Sequence, residues 1–218
     1  EAKGELINNI AQNGSLILNR DDKFFPFFQR KAKLKSLKLI TYGMHKKSDV
    51  YPVSLSKKNG KTRMIVKIKK QTLSLFFKNL NIYNILSSLA LLSELNLNLK
   101  KAIKLFDIYE PSPGRGKIYQ INRYNKKFSL IDESYNANPL SVKNAVKNFN
   151  TIKKSKFKKY LFLGDMLELG KKSEILHKRV SEVINKSDID KVFIKGNKTL
   201  ITFKNINKSK RGNIFQQE

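Results

Sequence analysis

The chain is 218 residues long and carries 45 Lys and Arg against 17 Asp and Glu, a formal net charge of +28. With no cysteine it can form no disulfide, thiolate metal site or cysteine nucleophile, which fits a reducing compartment. Its length and 40% hydrophobic content suit one large or two small domains with real cores, not a disordered chain, and no stretch of about 18 apolar residues predicts a membrane span. The excess charge is almost all lysine, 38 Lys to 7 Arg, alongside 22 Asn. Clustered cations suit a polyanion such as nucleic acid or an anionic membrane surface. Phosphate recognition favours the arginine fork, however, and Lys, Asn and Ile together are what an AT-rich coding sequence produces. Both explanations stay open at the level of composition. The chain opens on Glu1-Ala2-Lys3-Gly4-Glu5 with neither initiator Met nor signal peptide, and it closes on Asn213-Ile214-Phe215-Gln216-Gln217-Glu218, so both ends read as cuts within a longer protein.

In chain order, Ser15 to Leu18 is a short apolar run closed by Asn19-Arg20-Asp21-Asp22, a buried strand leading into a polar loop. Leu37 to Thr41 and Val50 to Leu55 are further strands. Met64, Val66 and Ile68 alternate with polar positions, and Leu73, Leu75 and Phe77 alternate again, which predicts a hairpin without an Asn-Gly turn. Gly60-Lys61-Thr62 lacks the glycine and the strand-to-helix setting of a phosphate loop and reads as a turn. Ile82 to Leu95 is apolar on nearly every side and predicts a buried helix. Pro111-Ser112-Pro113-Gly114-Arg115-Gly116 is the strongest punctuation in the chain and marks the domain boundary.

Beyond it the pattern alternates. Phe128 to Asp132 reads as a strand. Asn138 caps a helix with Pro139 at its first position and Val142, Ala145, Val146 and Phe149 at helical spacing. Tyr160 to Leu163 is a strand ending at Gly164-Asp165. Ser173 caps a helix carrying Leu176, Val180, Val183 and Ile184, and Val192 to Ile194 is a strand closed by Lys195-Gly196. This succession predicts a parallel, doubly wound sheet, whose ligands sit beyond the carboxyl ends of the strands, at the loops starting from Asp132, Gly164 and Gly196.

Two of those loops are rich in chemistry. Leu130-Ile131-Asp132-Glu133-Ser134-Tyr135-Asn136-Ala137-Asn138-Pro139 crowds two carboxylates, a hydroxyl, a phenol and two amides against a helix N-terminus, where free N–H groups favour anions. Phe162-Leu163-Gly164-Asp165-Met166-Leu167-Glu168-Leu169-Gly170 again delivers a glycine and an acid from a strand end. His177 behind it is expected on a solvated helix face.

Together with Pro113-Gly114-Arg115-Gly116, these segments resemble the C-terminal domain of the Mur ligase family, in its MurF-type branch. Glu1-Ala2-Lys3-Gly4-Glu5-Leu6 and Ile17-Leu18-Asn19-Arg20-Asp21-Asp22 are similar to the later part of that family's central ATPase domain. The resemblance implies an α/β fold: the second half of a central ATPase domain over 1–110, then a truncated Rossmann-like domain with a mostly parallel sheet over 111–218. The family's N-terminal UDP-sugar domain, its phosphate loop and its extreme C-terminus are absent, so the chain alone is expected not to turn over.

The implied activity is ATP-dependent amide formation in cytoplasmic peptidoglycan precursor synthesis. ATP with Mg²⁺ converts the terminal carboxylate of UDP-MurNAc-tripeptide to an acyl phosphate, which the amine of D-Ala-D-Ala then attacks. By the resemblance, Lys3 is the carbamylated lysine that presents a carboxylate-like group to Mg²⁺. Asn81 and Asn84 form the Asn-x-x-Asn pair near adenine, although the family's usual Gly-x-His-Asn is here Lys78-Asn79-Leu80-Asn81. Arg115 reaches the ATP phosphates, and Glu133 accepts from the ribose hydroxyls where many relatives carry Asp. Asn136, Asn138 and Asp165 line the acceptor side near the incoming dipeptide. A monomer is expected, with no nucleic-acid partner. The rival readings are a basic nucleic-acid-binding α/β module and a Mur ligase with another amino-acid acceptor. Lysines scattered through every segment weigh against the first, and the Ser134-Tyr135-Asn136-Ala137-Asn138 run weighs against the second.

Overall fold

The computed structural model describes residues 2–58, 60–78, 80–154 and 157–215, and of Ala2 and Lys3 the backbone alone. Glu1, Asn79 and residues 216–218, which entered the sequence reading, lie outside the described residues. The chain divides into two compact units, Glu1–Pro111 and Ser112–Glu218. Among the described residues no helix is long and apolar enough to cross a membrane.

The first unit is built on a five-stranded sheet in simple chain order: β1 (Ser15–Asn19), β2 (Lys38–Tyr42), β3 (Val50–Lys58), β4 (Lys61–Ile68) and β5 (Gln71–Phe77). Strands β1 and β2 run parallel, joined by the helix α2 (Phe25–Leu34); α1 (Ala2–Glu5) precedes them. Strand β3 meets β2 in parallel at Tyr42 and Val50, then turns the sheet antiparallel through β4 and β5. The alternation at Met64, Val66 and Ile68 and at Leu75 and Phe77 points these side chains to one face. There they are nearly sealed from solvent against Ile85, Leu86, Leu89 and Ala90 of α3 (Ile82–Glu94). Gly60, at φ +74°, lies in the β3–β4 turn, so Gly60-Lys61-Thr62 leads into a strand and not into a helix. The β4–β5 turn manages without Asn-Gly because Lys69 itself takes the left-handed conformation, φ +52°. Helix α2 and α4 (Leu99–Ile108) carried no clear sequence expectation; α4 is capped by the Asn98 side chain, which accepts the Lys101 N–H.

The second unit holds a three-stranded parallel sheet, β8 (Tyr160–Gly164), β9 (Lys191–Lys195) and β10 (Arg211–Phe215), with β9 central. Helices α5 (Pro139–Thr151), α6 (Ser173–Asn185) and α7 (Thr199–Asn205) share one core with it, through Val142, Val146, Val180, Ile184, Val192, Ile194 and Phe203. Two expectations need correction. The strand predicted at 128–132 belongs to β7 (Lys126–Asp132), which among the described residues pairs only with β6 (Lys117–Arg123) as an antiparallel ribbon, so the parallel succession begins one strand later and ends at β10. The reason is local: Tyr124 and Asn125 both take positive φ and close a two-residue hairpin, while Phe128 and Leu130 stay exposed, unlike the doubly buried side chains of an inner parallel strand. Ser173 is the first residue of α6 and makes no cap; the N-cap position is Lys172.

A few of the cations serve the fold at the amino ends of the parallel strands. Lys159, 1% exposed, donates to the Phe149 carbonyl at 3.0 Å and to both Asp188 oxygens at 2.8 Å. Lys210 donates to the Ser187 and Ile189 carbonyls beyond α6, and Arg211 to the Lys204 and Ile206 carbonyls at the end of α7. Cations satisfying carbonyls at helix ends also complement the helix dipole.

Candidate functional site

The residues expected to meet nucleotide in the second unit are assembled by the backbone. Gly114 and Gly116 sit at φ +77° and +89°, folding the Gly114-Arg115-Gly116 loop back on the end of β7. The Gly114 N–H donates to Asp132 Oδ2 at 2.9 Å, the Gly116 N–H to the Asp132 carbonyl at 2.7 Å, and the Tyr135 N–H to the Gly114 carbonyl at 3.1 Å. A Cβ on Gly114 would lie 2.8 Å from Tyr135 Cβ, and one on Gly116 3.3 Å from Glu133 Oε1. Glycine is therefore required at both turns by conformation, and at Gly114 by space as well. The clasp places the Arg115 guanidinium 4.1 Å from the centre of the Tyr135 ring.

The adjacent acids are driven apart. The Ser134 hydroxyl at 2.6 Å, with the Gly114 and Ser134 N–H groups, holds the Asp132 carboxyl below the usual carboxylate range. Burial, followed by the neighbouring Asp132 charge, pushes Glu133 up. Asp132 is thus the organising anion, and Glu133 the acceptor beside the Gly116 turn. Asn136 is exposed. Asn138 is the N-cap of α5, accepting the Leu140 and Ser141 N–H groups at 3.0 and 2.9 Å, while Ser141 Oγ accepts the Asn138 N–H at 3.0 Å. This capping box was missed from the sequence because its third residue is Ser and not the common Glu or Gln.

The second loop, 164–170, is also pinned. Asp165 accepts the Thr199 N–H at 2.7 Å, the Thr199 hydroxyl at 3.0 Å and the Lys198 N–H at 3.2 Å, so it caps α7 from a different strand end. Burial raises the Asp165 pKa, but these donors outweigh it and the net shift is downward. Gly196, at φ +121°, lets this happen: a Cβ there would stand 2.5 Å from Asp165 Cγ. His177 corrects another expectation. It is 0% exposed, not on a solvated face, and its Nε2 accepts the Met166 N–H at 3.1 Å. It shares its face of α6 with the buried Val180 and Ile184, three and seven residues on, so the helical period places it there and its polarity alone suggested solvent.

In the first unit, Asn81 is the N-cap of α3, its side chain accepting the Tyr83 N–H at 2.8 Å; Asn84 is exposed one turn on. Beside them Asp21, after β1, accepts the Met44 N–H at 2.5 Å and the Tyr83 hydroxyl at 3.1 Å. Asp21 and Tyr83 were not foreseen as partners, since nothing in the sequence links positions 62 residues apart. Burial and the Asp21 hydrogen bond push the Tyr83 phenol up. Lys3 lies in α1, and its side chain is outside the described residues. Among the described residues no group of three or more His, Asp or Glu side chains could hold a metal ion.

Residues 1–92 match the Mur ligase middle domain, and residues 114–210 match the glutamate ligase domain of Mur ligases. The chain is 28% identical over 194 residues to the UDP-N-acetylmuramoyl-tripeptide–D-alanyl-D-alanine ligase of Buchnera aphidicola subsp. Baizongia pistaciae, an alignment covering 88% of this chain and 41% of that protein. It therefore spans about two fifths of the length of the curated relatives it matches. Among solved structures, MurF from Acinetobacter baumannii superposes with a TM-score of 0.81 at 19% identity, covering 98% of this chain and 45% of that one. The MurF ligase of Thermotoga maritima in complex with ADP superposes at 0.73 with 16% identity, covering 98% and 52%.

Proposed function

The chain belongs to the Mur ligase family, and on that premise we propose that the activity to which it contributes is ATP-dependent joining of D-Ala-D-Ala to UDP-MurNAc-tripeptide, in the cytoplasmic assembly of peptidoglycan precursors. ATP supplies the phosphoryl group that activates the tripeptide carboxylate as an acyl phosphate. The observation that carries the reading is the clasp of Gly114-Arg115-Gly116 on Asp132–Tyr135, which holds the Arg115 cation over the Tyr135 ring and sets the Gly116 turn against the Glu133 carboxylate.

Arg115, steadied over Tyr135, suits the developing negative charge of phosphates, and Glu133 suits a vicinal diol such as the ribose. Asn81 and Asn84, on the first turn of α3, have the donor and acceptor chemistry of a purine edge. On the acceptor side Asn136 is open to solvent, whereas the Asn138 oxygen and the Asp165 carboxylate are engaged by backbone donors. Asn138 and Asp165 would then act by placing their loops, with the Asn138 side-chain NH₂ still able to donate. Mg²⁺ finds no cluster of three ligands among the described residues. Its support in this chain would be Lys3, if carbamylated.

The test is to express the intact coding sequence and follow phosphate release. Release that depends on both D-Ala-D-Ala and the UDP-sugar tripeptide is expected. Arg115→Ala is expected to lower kcat/KM for ATP roughly a hundredfold. Phosphate release indifferent to the dipeptide would overturn the proposal.

A further inference from the structure

The chemistry proposed above makes no use of His177, yet this residue stands at the corner of a closed circuit. The 164–170 loop joins α7 through Asp165, which accepts the Thr199 and Lys198 N–H groups. Helix α7 joins α6 through the Thr202 hydroxyl, which donates to the His177 carbonyl at 2.8 Å. Helix α6 returns to the loop through the His177 ring, whose Nε2 accepts from the Met166 N–H. Asp165 and Met166 are neighbours, so three contacts fix two successive residues from two different helices.

The ring has one consistent protonation pattern. Nε2 faces an N–H donor and must accept, while Nδ1 lies 2.8 Å from the Ser173 carbonyl and must donate. With His177 and Met166 buried, what the pinned loop turns to solvent is Leu167, 72% exposed, and Glu168, exposed and held at φ +58°. A left-handed non-glycine residue persists only where its surroundings enforce it.

We propose that His177 is a positioning residue: its ring, protonated on Nδ1 and accepting through Nε2, latches the 164–170 loop so that Leu167 and Glu168 are presented at the carboxyl end of the parallel sheet. The consequence for catalysis rests on the ligase reading, in which this loop faces the acceptor dipeptide; the latch itself does not.

Long-range proton–nitrogen correlation on the ¹⁵N-labelled 218-residue chain reads the ring directly. A protonated Nδ1 and a bare Nε2 are expected, and an Nε2-protonated or doubly protonated ring overturns the proposal. His177→Phe fills the same space but accepts nothing. It is expected to speed exchange of the Met166 amide about tenfold or more while the Val192 and Ile194 amides keep their protection. Unchanged Met166 exchange overturns the latch, and if the variant does not fold, the tautomer of the unaltered chain decides.

In the intact ligase, His177→Phe is expected to raise KM for the dipeptide about fivefold or more with kcat within about twofold. His177→Gln, whose Oε1 can take the Met166 N–H, is expected to restore it. An unchanged KM refutes the positioning role. Failure of the ligase reading would appear as absent turnover, with the tautomer and exchange results intact.

Discussion

The two units solve the same local problem with the same parts. In each, a parallel strand delivers an aspartate that receives backbone N–H groups from the loop after the neighbouring strand, and a glycine in that loop makes room for the carboxylate. Asp21 takes the Met44 N–H, with the Gly43 Cβ position 2.8 Å from its Oδ2. Asp165 takes the Thr199 and Lys198 N–H groups, with the Gly196 Cβ position 2.5 Å from its Cγ. The difference lies in what else holds the acid. Asp21 has a phenol, Tyr83, donated by a helix start; Asp165 caps a helix itself and is backed by the His177 circuit. A strand end can thus be a satisfied hub in one unit and the edge of a rigid, outward-facing loop in the other.

The largest expected contrast is between the glycines. Gly196→Ala meets both a positive φ and a carboxylate it cannot displace without uncapping α7, and should cost about 3 kcal/mol or more. Gly43→Ala meets only the end of one side chain at an ordinary φ, and should cost about 1 kcal/mol. Exchange of core amides in each unit measures the two separately, and equal losses would break the comparison. Next comes Asp165→Asn, which sets an amide against N–H donors and is expected to cost the second unit about 2 kcal/mol; Asp21→Asn, with one backbone donor and an adaptable hydroxyl, should cost the first unit about half as much.

Acid sharpens the contrast in another way. Glu94 is held from 4.5 down to about 2 by the Lys38 ammonium first and the Ser15 hydroxyl second. A depressed carboxylate stabilises the fold above its ordinary pKa and loses that contribution as pH falls from about 4.5 towards about 2. Glu94→Gln should therefore flatten the acid limb of the first unit and leave that of the second, where Asp165 and Asp190 are also held low, unaltered. The smallest effect is Ser141→Ala, which removes one half of the α5 capping box and should cost about 0.5–1 kcal/mol, read in the second unit alone.

Legibility in the sequence followed the range of the interaction. Asn138 announced itself as a cap because its partners are two and three residues away. The alternation of Met64, Val66 and Ile68 gave the strand and its buried face together, since period 2 reports both. The ribbon of β6 and β7 was missed because its turn, Tyr124-Asn125, lacks glycine and adopts positive φ all the same. His177 was misplaced because its polarity was weighed over its spacing: it stands three and seven residues before Val180 and Ile184, on the buried face of α6.

The residues of the 132–139 run and the Gly114-Arg115-Gly116 turn were readable as chemistry from their order alone, and they also carried the family. The sequence by itself determined the strand-end location of that chemistry, since alternation and helical periodicity are local. Only the tertiary structure decided which groups are already engaged. Asp165 meets Thr199 across 34 residues, Asp21 meets Tyr83 across 62, and the Met166 N–H meets the His177 ring across a loop and the start of a helix. Each is a hydrogen bond whose partner is set by how strands and helices pack, and no periodicity along a chain encodes the neighbour that packing supplies.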